Sequence, residues 1–123
     1  MQKPRFTVIL QTTNATATTA GSIPVPTSKG VTVMVEFNGL KSTKDTVVGG
    51  YANASFYRAS GDVTRTASNT NQGLIVDETG NFTGSQPYID IVANAGTQSI
   101  DIKAVGKAAT TIDWIIKYHF IMQ

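Results

Sequence analysis

The residue types that could do chemistry are few in this 123-residue chain: one histidine, His119, eight carboxylates and no cysteine. A hydrolytic triad needs a base held beside its nucleophile, and His119 is the only imidazole available. Alternation along the C-terminal strand puts it on the more polar face, where a solvated or edge histidine is expected. Zinc asks for three or four nitrogen or sulfur ligands, so a metal site is not expected. Asp90, Asp101 and Asp113 occur once on each late strand, and a pair of carboxylates could cleave a glycosidic bond. The alternation sends Asp101 and Asp113 toward solvent, however, and tuning a carboxylate for catalysis needs burial. Asp77–Asn81 gathers oxygen ligands around Gly80 but lacks the alternating spacing of a calcium loop, so it reads as a turn. The glycines never precede a helix in the manner of a phosphate-binding loop. No catalytic residue, metal or cofactor is expected, and the chain does not read as an enzyme.

Aromatic side chains offer another route to function, because their faces stack on sugars and bases. Tyr51, Phe56, Tyr57, Phe82 and Tyr88 are the candidates outside the last strand. Phe82, between Gly80 and Gly84 in a turn-rich stretch, is the one expected to be exposed and to touch a partner.

Ten basic groups against eight acidic ones give a net charge of +2. They do not cluster as counterion release from nucleic acid would require, so no nucleic-acid partner is expected. No apolar run reaches the roughly 20 residues that span a bilayer as a helix. The basic start, Met1-Gln2-Lys3-Pro4-Arg5, is not followed by a signal-peptide core. The expectation is a single leaderless domain over 1–123, made in the cytoplasm.

The elements that must position these residues are strands. There are 18 threonines, 11 valines and 11 isoleucines, and β-branched side chains suit a pleated, half-buried surface. Alternation marks strands at Phe6–Leu10, Val31–Phe37, Tyr51–Ala59, Asp62–Thr66, Leu74–Val76, Tyr88–Val92 and Ser99–Val105. Asn38-Gly39 reads as the turn that closes the second of these, and Ser60-Gly61 as a hairpin. The last strand is the clearest: Ile112, Trp114, Ile116, Tyr118, Phe120 and Met122 form one continuous apolar face. A one-residue slip would put all six in water, so this strand sets the register of its sheet. About eight strands argue an all-β, antiparallel two-sheet sandwich, jelly-roll-like, with an up-and-down barrel as the alternative. Thr12–Gly21 is low-complexity and reads as an extended edge strand, a mobile loop, or an arm that orders on a neighbour. Its Thr12, Thr13, Asn14, Thr16, Thr18 and Thr19, together with Phe82, are the candidate partner-binding residues.

Three segments carry a resemblance to a known family. Tyr57-Arg58-Ala59-Ser60-Gly61-Asp62-Val63-Thr64-Arg65 resembles the hairpin of a β-domain common in virion proteins of tailed bacteriophages. Ile100-Asp101-Ile102-Lys103-Ala104-Val105-Gly106 is similar to its next strand, and Thr110-Thr111-Ile112-Asp113-Trp114-Ile115-Ile116 to its terminal one. The likeness covers roughly residues 51–120. It implies a non-enzymatic structural protein of the virion, often a homotrimer, found at fibre tips or as small stand-alone virion proteins. With no stalk, coiled coil or collagen-like repeat in this sequence, it points to a decoration or head-fibre protein on the capsid surface. Its partner would be the major capsid protein or another virion protein. A receptor- or carbohydrate-binding fibre tip, with a host surface glycan as ligand, is the alternative.

Overall fold

In a computed structural model the chain is described over residues 5–66, 71–76 and 87–123, with the backbone alone for 71–76. Phe82 and the Asp77–Asn81 turn lie outside the described residues. Nine strands form among them: β1 (Phe6–Thr12), β2 (Ala17–Pro24), β3 (Lys29–Lys41), β4 (Val47–Arg58), β5 (Thr64–Arg65), β6 (Asn71–Val76), β7 (Tyr88–Asn94), β8 (Ser99–Val105) and β9 (Ile112–Met122). All pairings are antiparallel. The larger sheet runs β1-β9-β3-β4, with β5 and β6 both pairing the far edge of β4, and the smaller runs β2-β8-β7. Successive described strands therefore change sheet four times, from β1 to β2, β2 to β3, β6 to β7 and β8 to β9. That wrapping is the jelly-roll feature of this two-sheet sandwich.

The core lies between the sheets. Val31, Val33, Val35 and Phe37 of β3, Val48, Ala52 and Phe56 of β4, and Ile112, Trp114 and Ile116 of β9 face Ile89, Ile91, Ile100 and Ile102 of the smaller sheet. Every second residue of these strands is apolar, and a pleated strand sends alternate side chains to one face. Hence the expected parity of β9 is the observed one. Trp114 is fully buried and Tyr118 nearly so, while Ile115 and Ile121 point outward and are exposed.

Two expectations change. Asn38-Gly39 does not end its strand; β3 continues to Lys41, and its turn falls at residues 42–46. Gly39 serves packing instead: a Cβ there would sit 3.2 Å from the Trp114 ring and 3.0 Å from Val48. Asp101 does not face solvent freely, although it lies on the outer face of its sheet. It is 6% exposed, because β8 is the central strand and its neighbours cover the carboxylate. Ser22 Oγ donates to it at 2.6 Å, Asn94 Nδ2 at 3.0 Å and Ser99 Oγ at 3.3 Å.

Long-range polar bonds join the two layers around the Tyr57–Arg65 hairpin. Arg58 donates to the Val25 carbonyl at 2.9 Å and to the Gly61 carbonyl at 2.8 Å. Arg65 donates to the Ile91 carbonyl of β7 at 2.8 Å. Gln98 accepts from the Val63 amide at 2.8 Å and donates to Asp62 at 2.7 Å. The guanidinium groups of this hairpin are thus structural ties between sheets.

Candidate interaction surface

The sequence directs attention first to the threonine-rich stretch. Ala17–Pro24 pairs with β8 alone, so it is the extended edge strand among the three readings of that segment. Period-2 alternation could not reveal it, because ATTAGSIP has almost no large apolar side chain and its register shifts between Thr19 and Gly21. Thr13, Asn14, Thr16, Thr18 and Thr19 are exposed, and the turn is built locally, with the Thr16 amide donating to Asn14 Oδ1 at 2.8 Å. Thr12 stands apart. It is 3% exposed, and its Oγ1 accepts the Trp114 indole N–H at 2.9 Å, so it has almost no surface to offer a partner.

Asp113 stands on a different sheet from Asp90 and Asp101, and each of the three has its own partners. Asp113 accepts from Gln11 at 2.8 Å on the outer face of the larger sheet. Asp90 lies 3.7 Å from Arg65, and Asp101 is held by hydroxyls and an amide. No group of three or more His, Asp or Glu side chains is arranged to hold a metal among the described residues. His119 stands opposite Met34 on the outer face of the larger sheet, half-buried. In the loop at 42–46, Thr43 donates a hydrogen bond to Asp45 and holds its carboxyl below the usual range. Burial pushes the Tyr118 phenol above its ordinary value.

What the fold does gather is exposed apolar surface. Register places Ile9, Ile115, Ile121, Val47, Tyr51 and Tyr57 on the outward side of β1, β9 and β4, and all six are exposed. Leu40 and Met34 of β3 lie between them, half-buried. Only Phe6, among the described residues, is a large exposed apolar side chain that lies elsewhere; it stacks on Tyr118 at 5.0 Å at the open margin of the core. Two open depressions mark the same outer face, one beside Glu36, Asn38, Ile115 and Lys117, the other beside Thr32, Met34, Ser55 and Ile121. The outer face of the smaller sheet differs in having no large exposed apolar side chain among the described residues: Tyr88, Val92 and Val105 are buried or half-buried there beside Ser22, Asp90, Asp101 and Lys103. The exposed large apolar side chains of this monomer thus gather on one sheet face, interleaved with Glu36, Asp113, Lys117 and His119, and such a face suits contact with another protein. Sequence parity placed Ile115 and Ile121 on the outward side of β9; that β1 and β4 add their own apolar residues beside them follows only from strand order.

No protein-family model matches the sequence, and no curated protein matches it. Among solved structures, the tailspike protein of Acinetobacter baumannii phage AM24 is similar at 10% identity with a TM-score of 0.45. The match covers 94% of this chain and 26% of that one, so the chain spans about a quarter of the tailspike's length.

Proposed function

We propose that this chain is a structural, non-enzymatic protein of a tailed-bacteriophage virion that decorates the capsid surface. The observation that carries the reading is the set of exposed apolar side chains on the outer face of the larger sheet, Ile9, Val47, Tyr51, Tyr57, Ile115 and Ile121, interleaved there with Glu36, Asp113 and Lys117. Such a face binds by shape and burial, without a cluster of titratable groups. The resemblance of the 57–65, 100–106 and 110–116 segments to phage virion proteins supplies the setting. Docked on a capsid protein, this face would be covered, and Thr13, Asn14 and Thr16, in the turn after β1, would lie at its β1 margin.

A second reading, a fibre-tip module that binds a host glycan, is favoured by one observation. Tyr51 and Tyr57 are both exposed on the outward side of β4, with Asn53 on the same side between them. Exposed aromatic faces beside an amide suit a sugar ring.

Immunogold labelling of virions with antibody raised against this chain tests both. Gold over the head is the expected result. Gold at the tail tip would replace decoration with receptor binding, and virions without label would end the virion reading.

A further inference from the structure

Edge strands are a liability that folded proteins blunt with bulges, prolines, charges or covering groups. Two edges of this sandwich are so treated. β2 carries the register shift at Thr19/Gly21 and ends at Pro24. β7 has its Ile91 carbonyl capped by the Arg65 guanidinium at 2.8 Å. Beyond β4 the larger sheet ends in the short strands β5 and β6, of two and six residues. β1 has none of these devices. Its seven residues, Phe6-Thr-Val-Ile-Leu-Gln-Thr12, include no charge, proline or glycine, and among the described residues it pairs with β9 on one side only. Alternate backbone N–H and C=O groups of such a strand point away from its single partner.

The geometry points to a second copy of this chain as the occupant of that edge, through antiparallel β1–β1 pairing about a two-fold axis at Ile9. Ile9 is 77% exposed and stands opposite Ile115 in the β1–β9 register. The axis would set it against the second copy's Ile9, so that the outer face carries an unbroken row of four isoleucines, Ile115 and Ile9 from each copy. Thr7 would oppose the second copy's Gln11, and Val8 its Leu10, so polar meets polar and apolar meets apolar around the axis, with Phe6 opposite Thr12 at the ends of the strand.

Charge agrees with this arrangement. Thr7 is flanked by Lys117 and Gln11 by Asp113, one sign at each end of the edge. Antiparallel pairing brings Lys117 of one copy onto the row of the second copy's Asp113, whereas a parallel pairing would align Asp113 with Asp113. An isologous contact of this kind makes a closed dimer and a continuous sheet across both copies. It stands in place of the homotrimer that the resemblance implies, and it is independent of the virion reading because it is read on the purified chain.

The test is sedimentation equilibrium of the full chain at micromolar to submillimolar concentration. The wild type is expected at twice the 13.1 kDa protomer mass. Ile9→Lys and Ile9→Glu, each placing like charges opposite each other, are expected at the protomer mass. Because Ile9 projects into solvent, both variants should keep the wild-type circular dichroism and Trp114 emission. An equimolar mixture of the two should regain the dimer mass. A monomeric or trimeric wild type, a dimer that persists in either variant, or a mixture that stays monomeric would overturn the proposal.

Discussion

The indole N–H of Trp114 donates to Thr12 Oγ1 at 2.9 Å, and both residues are buried. The bond spans 102 positions of sequence. It joins the last residue of β1 to the strand that lies at the centre of the core, beside the point where the chain crosses into the second sheet.

Removing that acceptor strands a buried donor. Thr12→Val keeps shape and is expected to cost about 1–3 kcal/mol, whereas Thr12→Ser should cost less because the hydroxyl remains. Trp114→Ala, which empties the site of the largest fully buried side chain, is expected to cost about 3–5 kcal/mol. Urea unfolding followed by circular dichroism measures all three. Equal stability of the Val and Ser variants would mean that the hydroxyl does not hold the indole.

Gly106 closes the same corner. A Cβ at this position would come within 2.6 Å of Thr12 Oγ1 and closer still to the Asn14 carbonyl, which is backbone and cannot rotate away. Gly106→Ala is therefore expected to cost about 1–3 kcal/mol through overpacking. Gly61→Ala is the control, since nothing lies within 4 Å of a Cβ there. If thermal melts of the two variants coincide, the β1–β2 and β8–β9 connections are not in contact.

Asp101 and Asp113 stand on consecutive strands of different sheets and differ in surroundings. Asp101→Asn replaces an acceptor with an amide that faces the donors Ser22, Ser99 and Asn94, and a loss of about 1–3 kcal/mol is expected. Asp113→Asn, partly exposed and bonded to Gln11, should stay within about 0.5 kcal/mol of wild type. Chemical denaturation at neutral pH compares them, and the reverse order of losses would contradict the buried network.

Tyr118 makes stability fall in alkali. Burial raises its phenol above the ordinary 10.0, so the folded state keeps a proton that the unfolded chain has begun to release. Stability from this group is fully present below about pH 10 and is lost as pH rises toward the folded-state value. Urea midpoints measured from about pH 9 to about pH 11 should fall more steeply for wild type than for Tyr118→Phe. Parallel curves would show that the phenol ionises as freely in the fold as in the unfolded chain.

Much of this molecule is written in local pattern. β8 occupies the predicted Ser99–Val105, and β9 the predicted strand with its even residues inward, because period-2 alternation of isoleucine, tryptophan and tyrosine leaves one register that buries them. The all-β class follows from the same β-branched composition. Where alternation is weak, local pattern is silent. β2 has small residues and a bulge, and Gly39 reads as a turn because nothing near it in sequence reveals the indole that needs the space.

The candidate surface divides in the same way. Sequence by itself determined that Ile115 and Ile121 lie opposite the buried face of β9. Tertiary structure alone decided that Ile9 stands beside Ile115 and that β1 is left as an edge without a blunting device. It alone sealed Thr12 against Trp114 and enclosed Asp101 between Ser22 and Asn94. The physical reason is that alternation sets only which side of its own strand a residue occupies. Strand order and sheet packing set what covers that side, through contacts between residues as far apart as Thr12 and Trp114.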